Sequence, residues 1–256
     1  MKEVVQDLSS GSYPTWVGAN IVGPETGAEQ WRNLRADTKP EDFKKHQWSI
    51  HAGELDFPND AVWKAVVTMN ASRIGHGVNW LDLEPDLKKK TLQELRQRNI
   101  LIETNLVSNK VLHTVPSWKD HPLRQFPEFK IPTCLCSDDP GIFGSTLTDE
   151  YMLAAEFLHR DSMLEVFIKM GKDSLKHAFV PTTVKQDLIQ RFEENVDRFN
   201  QLLSCLSMGS CQEKLALIQA SYFACHQWPT LCMDMPVFDR LESFLLDVPP
   251  LSWWSW

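Results

Sequence analysis

The sequence has no long apolar run, no cluster of basic residues and no apolar core near its N-terminus. No apolar run approaches the roughly 18 residues that a membrane-spanning helix needs. The formal net charge is −8, which disfavours a nucleic-acid backbone as a partner. The N-terminal MKEVVQDLSS carries charge where a secretory signal would be apolar. We therefore expect a cytosolic protein that binds neither membranes nor nucleic acid.

Cysteine is also scarce. Six cysteines in 256 residues are too few for a disulfide scaffold. Cys134 and Cys136 alternate along one predicted strand and are expected to pack in the core. The spacing of Cys225, His226 and Cys232 fits no zinc-finger template, so a structural zinc cluster is not expected there.

Short apolar segments recur along the chain at roughly the 25–35 residue interval of a βα unit. They are apolar on both faces, which is typical of buried parallel strands, and each is followed by helical or loop material. This rhythm predicts an α/β protein with a (β/α) barrel of the TIM type. The predicted strands lie at about 16–22, 47–51, 72–76, 99–103 and 131–136.

The C-terminal part of the chain differs in pattern from the segment with the predicted strands. Helical apolar spacing from Asp149 to Leu203 predicts helices. Beyond Ser204, Cys, Met, Trp and Pro become frequent, and the final VPPLSWWSW has no clear period. We therefore predict a barrel-like part at 1–204 and a C-terminal tail at 205–256, to which the sequence assigns no role.

Polar side chains collect at the C-terminal ends of the predicted strands, where (β/α) barrels place their chemistry. Taken singly, a histidine at a strand end is more often structural, and a Ser-Asp-Asp-Pro stretch is more often a turn. Closing the sheet would bring these groups around one opening, where an imidazole can bind a metal and a carboxylate can move a proton. The residues are His51, Glu54, His76, Asp138 and Asp139.

One glycine follows the first predicted strand. Gly23 comes directly after ANIV, and a glycine past a strand lets a ligand approach the backbone closely. From this stretch alone, a plain turn is the simpler interpretation.

Several motifs occur together in a specific order: SIHAGE, ASRIGHG, ETNLVSN, His-Pro at 121–122 and SDDPGIFG. This series resembles that of the adenosine deaminase family in both order and spacing. VGANIVGPE similarly resembles the family's segment that ends in Gly-x-Glu. The resemblance runs from about Val17 to about Ala155, and it implies a (β/α)8 barrel with one zinc ion.

The resemblance implies metal and catalytic roles for four residues. His51 matches the family's third zinc-ligating histidine, and Asp138 matches its zinc-ligating aspartate. Glu54 matches the glutamate that protonates N1 of the purine. His76 matches the histidine that orients or deprotonates the zinc-bound water.

The resemblance also implies a substrate and a reaction. Asp139 matches the aspartate that bonds the purine N7, and Gly23 matches the glycine whose backbone N–H bonds N3. The implied reaction is zinc-dependent hydrolytic deamination of adenosine or deoxyadenosine to inosine or deoxyinosine plus ammonia, a step of purine metabolism. Zinc makes water a nucleophile at neutral pH, and a carboxyl in a dry pocket stays protonated for N1. This ligand set differs from the His/Cys/Cys set of the deaminases that edit nucleic acids.

The sequence departs from the family pattern in its metal ligands. Family members begin with a His-x-His pair on the first strand, and this sequence contains no His-x-His. The resemblance therefore covers about strands four to eight of the barrel and two of four protein ligands to zinc. Smaller departures are Pro24 within Gly-x-Glu and Asn105, where many relatives carry cysteine.

These departures leave three interpretations open. The chain is a purine deaminase of this family, a catalytically inactive fragment or interaction module, or an aminohydrolase of adenine or another purine. Under the second interpretation, zinc binds poorly, the sheet has open edges, and a missing N-terminal half is needed to complete the site.

Overall fold

A computed structural model describes residues 2–11, 13, 15–23, 46–55, 60–158 and 163–207. In these ranges the chain forms one parallel sheet of five strands, and their order in the sheet is their order in the chain. Each predicted strand is present, with its bounds shifted by at most three residues. The strands are β1 (Ala19–Ile21), β2 (Trp48–Ala52), β3 (Arg73–His76), β4 (Leu101–Thr104) and β5 (Thr133–Leu135).

A row of isoleucines crosses the sheet and sets its register. Ile21 lies opposite Ile50, Ile50 opposite Ile74, and Ile74 opposite Ile102. All four are buried. A fully buried isoleucine contributes about 1.5–3 kcal/mol relative to an exposed one, so slippage of any strand would be costly.

The α-helices precede, connect and follow the strands. They are α1 (Lys2–Ser10), α2 (Ala61–Val67), α3 (Pro85–Gln97), α4 (Leu106–Val111), α5 (Phe126–Phe129), α6 (Pro140–Phe143), α7 (Leu147–Leu158), α8 (Met163–Lys176) and α9 (Thr182–Ser207). Helix α2 packs with an apolar face toward the core. This face consists of Ala61, Val62, Ala65 and Val66, which occur at helical spacing and are fully buried.

The α/β class and the parallel strand order predicted from the sequence are confirmed. A closed barrel of the TIM type has eight strands, whereas five are present in the described part of the chain. β1 and β5 are therefore the edge strands of this sheet.

The chain divides into two compact units, Met1–Phe192 and Glu193–Trp256, and the boundary falls within α9. The domain boundary that we placed near residue 204 stays a prediction. The tail predicted at 205–256 lies outside the described residues from 208 onward. Among the residues that are described, no helix combines the length and the apolar character that crossing a bilayer requires.

Candidate functional site

His76 is the last residue of β3, and the backbone turns sharply there. Its φ is 67°, and that of the following Gly77 is 57°. A histidine in this left-handed region costs about 1–3 kcal/mol, so the surrounding structure must hold it. The side chain is fully buried. Its Nε2 lies 3.6 Å from Oε1 of Glu54 and 3.8 Å from Oδ2 of Asp138.

His51 comes one residue before the end of β2, and its ring meets that of His76 edge-on. The ring centroids are 4.7 Å apart at an interplanar angle of 79°, and Nδ1 of His51 lies 3.2 Å from Nε2 of His76. Gly75 is the register partner of His51. A Cβ at position 75 would lie 2.5 Å from Cδ2 of His51. The glycine of the RIGHG motif therefore makes the space that this imidazole fills.

Glu54 is held on a tight turn after β2. Gly53 has a φ of 73°, and its carbonyl accepts hydrogen bonds from the backbone N–H of Val78 at 2.7 Å and of Asn79 at 3.0 Å. These bonds tie the turn to the chain that leaves β3. One donor atom each of His51, Glu54 and His76 lies within 4.8 Å of the other two.

Asp138 and Asp139 follow β5 at the same end of the sheet. Asp138 has a φ of 55°, and its side chain is 14% exposed. Asp139 is exposed and precedes α6, and its carbonyl accepts the N–H groups of Ile142 and Phe143 at 2.9 Å. Gly23 lies two residues beyond β1 with a φ of 124°. For Gly23 the structure establishes only that the residue lies at the same end of the sheet as the two aspartates.

Burial keeps both imidazoles neutral. It lowers the pKa of His51 below its usual range, against the charges of Asp138, Glu103 and Asp139, which raise it. Burial, with smaller contributions from His51 and His121, lowers the pKa of His76 to about 3. A neutral imidazole keeps a lone pair on one ring nitrogen, which metal binding and hydrogen-bond acceptance both need.

A second group of side chains, to which the sequence assigned no role, surrounds the other ring nitrogen of His76. Nδ2 of Asn105 and Nδ2 of Asn109 lie 3.1 and 3.0 Å from Nδ1 of His76. Nε2 of His121 lies 3.2 Å from Oδ1 of Asn109, and Nδ1 of His121 accepts the backbone N–H of Leu123 at 3.1 Å. Asn105, Asn109 and His121 are all buried. The four-residue spacing in ETNLVSN was the available signal, because it puts both amides on one helix face.

Glu150 fixes the helix that carries these amides, and this role was also missed. Its carboxylate accepts the N–H groups of Leu106 at 2.7 Å and of Val107 at 3.2 Å, and the hydroxyl of Ser145 at 3.1 Å. The first turn of α4 has N–H groups without helical partners, and a carboxylate there satisfies them. Glu150 is fully buried. Burial raises its pKa, although the three hydrogen bonds oppose that shift.

The donor set of the site fits a zinc ion. Imidazole nitrogens and carboxylate oxygens are zinc ligands, and His51 and Asp138 supply one of each. In the described part of the chain, the group of three close donor atoms differs from this predicted pair, since it joins His51 to Glu54 and His76. Asp138 reaches the group through its 3.8 Å approach to His76.

Comparison with known proteins identifies the sequence relatives. The adenosine deaminase family model matches residues 14–195. An adenosine deaminase of Vibrio cholerae is 36% identical over 139 residues, which are 54% of this chain and 40% of that protein. An adenosine deaminase of Plasmodium falciparum is 26% identical over 179 residues, which are 69% of this chain and 46% of that protein. The chain thus spans less than half the length of these curated relatives.

Solved structures share the fold at low identity. Adenine deaminase from Arthrobacter aurescens has a TM-score of 0.58 at 22% identity over 76% of this chain and 57% of that one. Arabidopsis ADAL complexed with IMP has a TM-score of 0.62 at 22% identity over 75% and 53%. A Burkholderia ambifaria amidohydrolase with bound Zn has a TM-score of 0.61 at 19% identity over 79% and 54%.

Proposed function

The chain belongs to the adenosine deaminase family, and on that premise we propose that it acts in zinc-dependent hydrolytic deamination of a purine. The proposed reaction converts adenosine or deoxyadenosine and water to inosine or deoxyinosine and ammonia. The observation that carries the proposal is the convergence of His51, Glu54, His76 and Asp138 at one end of a parallel sheet.

His51 and Asp138 would hold the zinc ion. The chemistry that zinc supplies when bound is a water molecule whose pKa is lowered toward neutrality. His51 is suited to this role because burial keeps it neutral, and Asp138 because its side chain is largely sheltered from solvent.

Glu54 delivers the proton that makes the purine reactive. C6 resists attack by water until N1 is protonated, so Glu54 carries a proton when the substrate arrives. The oxygen of water bonds to C6, and the bond from C6 to the amino nitrogen breaks. Of the two protons of water, one leaves on ammonia, and the other replaces the proton that Glu54 gave to N1. The turn at Gly53 holds the carboxyl beside His76 for this transfer.

His76 would orient the attacking water or take its proton, and hydrogen-bond contacts on both sides hold its buried ring. Asp139 and Gly23 would orient the purine by bonding N7 and N3. These contacts involve only atoms of the purine ring, so the free base, the nucleoside and the nucleotide can all form them. The names of the structural neighbours, an adenine deaminase and a complex with IMP, make adenine and AMP the alternative substrates to compare with adenosine.

The direct test measures zinc and product together. We expect the purified chain to bind zinc stoichiometrically and to release ammonia from at least one of adenosine, deoxyadenosine, adenine and AMP. Glu54→Gln should retain zinc and lose about 10²–10⁴-fold in turnover, because it cannot protonate N1. Glu156→Gln, at an exposed carboxylate on α7, is the matched control and should leave turnover unchanged. Stoichiometric zinc without turnover of any of these purines would overturn the proposal.

The number of zinc ligands favours a second candidate, a catalytically inactive fragment or interaction module. The sequence contains no His-x-His pair. His51 and Asp138 are two protein ligands, whereas catalytic zinc sites usually keep three. This candidate predicts weak zinc binding and no turnover by the chain alone, both restored on mixing with a polypeptide that carries a His-x-His strand. Stoichiometric zinc with turnover in the unmixed chain would exclude it.

A further inference from the structure

We infer that a one-way series of hydrogen bonds, beginning at the backbone N–H of Leu123, fixes His76 with its proton on Nε2. His121 and Asn109 are then positioning residues, and His76 serves the site as a hydrogen-bond donor. The tautomer follows from geometry alone, and its catalytic meaning rests on the proposed function.

The series starts at a group whose role is unambiguous. The backbone N–H of Leu123 lies 3.1 Å from Nδ1 of His121, and a backbone N–H can only donate. Nδ1 of His121 therefore carries a lone pair, and the proton of the ring is on Nε2. Burial lowers the pKa of His121 to about 3, which agrees with a neutral ring.

The next bond orients an amide. Nε2 of His121 lies 3.2 Å from Asn109, and the atom that faces it must accept. The two ends of an asparagine amide are hard to distinguish by shape, and the hydrogen-bond network assigns them. Here the donor on His121 assigns Oδ1 of Asn109 to His121 and the NH2 group to the opposite side.

That NH2 group then determines the tautomer of His76. Nδ2 of Asn109 lies 3.0 Å from Nδ1 of His76, and Nδ2 of Asn105 lies 3.1 Å from the same atom. The NH2 group of Asn109 donates to this nitrogen, so Nδ1 of His76 carries the lone pair. The proton of neutral His76 is therefore on Nε2, which faces the site.

The neighbours of Nε2 agree with this assignment because all three can accept. They are Nδ1 of His51 at 3.2 Å, Oε1 of Glu54 at 3.6 Å and Oδ2 of Asp138 at 3.8 Å. In the nearest bond, Nε2–H of His76 donates to the lone pair on Nδ1 of His51.

The consequence concerns the role of His76 in the reaction. With a proton on Nε2, neutral His76 has no lone pair in the site with which to take a proton from water. It can donate a hydrogen bond to the oxygen of that water and so orient it. The acceptor of the proton is then a carboxylate of the site. Of the two roles considered for His76, orientation is the one that this arrangement favours.

The test is the nitrogen-15 spectrum of the histidine rings in the metal-free chain of 256 residues. Long-range proton–nitrogen correlations distinguish a ring protonated on Nε2 from one protonated on Nδ1, and His76→Gln identifies the signal of His76. We expect the Nε2–H form for both His76 and His121. The Nδ1–H form at His76 would overturn the inference.

Substitutions of Asn109 and His121 test the direction of the series. Asn109→Asp replaces the NH2 group with a second acceptor, so His76 should become protonated on Nδ1. His121→Leu removes the donor that orients Asn109, so His76 should show both tautomers, whereas His121→Gln retains an amide donor and should preserve the Nε2–H form. His113→Gln, at an exposed histidine, is the control and should change nothing. An unchanged His76 signal in Asn109→Asp would contradict the inference, and if that variant does not fold, the wild-type spectrum still decides.

This readout separates the inference from the proposed function. Nε2–H at His76 in a chain without turnover would retain the inference and remove the function. Turnover with Nδ1–H at His76 would overturn the inference and retain the proposed function. If both hold, Asn109→Asp should lower kcat at least tenfold and leave KM within about twofold, since Asn109 lies behind His76 and outside the purine contacts.

Discussion

The ring of His76 stands edge-on to the ring of His51, and the 3.2 Å contact between their nitrogens depends on a glycine. Gly75 lies opposite His51 in the sheet register, and no side chain fits between its Cα and that imidazole. Two strands thus place a half-buried imidazole beside a fully buried one, with His76 supplying a proton and His51 a lone pair.

Gly75→Ala should disturb this pair. The new Cβ would lie 2.5 Å from Cδ2 and 3.0 Å from Nε2 of His51, so the imidazole must shift from the position in which it contacts His76. We expect a loss of about 1–3 kcal/mol in the free energy of unfolding, measured by urea titration, and weaker zinc binding by calorimetry. Gly141→Ala is the control, because a Cβ there meets nothing within 4 Å. Equal stability and zinc affinity in the two variants would refute the steric argument.

Glu150→Ala should weaken the attachment of α4. It leaves the buried N–H of Leu106 and the partly buried N–H of Val107 without their carboxylate, and an unsatisfied buried donor costs about 1–3 kcal/mol. We expect a lower urea midpoint and faster hydrogen exchange in α4. Glu156→Ala, at an exposed site on the same helix as Glu150, should have an effect below about 0.5 kcal/mol. Equal midpoints for the two variants would mean that the cap contributes little.

His121 should make stability depend on acid pH. Its folded pKa of about 3 lies below the ordinary value of 6.5, so between these values the unfolded chain binds more protons than the folded one. Stability therefore rises with pH across this window and is lost on acidification, by at most about 1.4 kcal/mol per pH unit. His121→Gln should flatten this slope in urea titrations at pH 4, 5 and 6. His113→Gln should leave the slope unchanged, and equal slopes for all three proteins would show that burial of His121 does not act in this way.

The edge strand β1 should promote self-association of the chain. Among the described residues β1 pairs with β2 alone, and Trp16, Val17 and Val22 beside it are 46%, 52% and 56% exposed. Unpaired strand edges with apolar neighbours promote association. We expect the chain to bind a hydrophobic dye and to self-associate in light scattering, and Val22→Lys to reduce both. A monodisperse chain that melts cooperatively without dye binding would contradict this expectation.

The strands were predictable because their signal is local. Each is a short apolar run that ends in turn residues, and such a run identifies a buried strand wherever it lies in the fold. The interval between runs then indicated parallel order, since each crossover needs room for a helix. The exact bounds were less predictable: β1 is Ala19–Ile21, shorter than the predicted 16–22, because pairing with β2 limits it. The grouping of His51, Glu54, His76 and Asp138 followed from the rule that parallel strands share a C-terminal edge.

The sequence by itself thus determined the parallel strands, their order and the family to which the chain belongs. Only the tertiary structure decided which nitrogen of His76 faces its acceptors, since that depends on hydrogen bonds linking Leu123, His121 and Asn109 to β3. It likewise decided that Glu150 caps α4, across 44 residues of chain. The physical reason is that apolar periodicity reports on a segment's own burial, whereas the direction of a hydrogen bond depends on where distant segments meet.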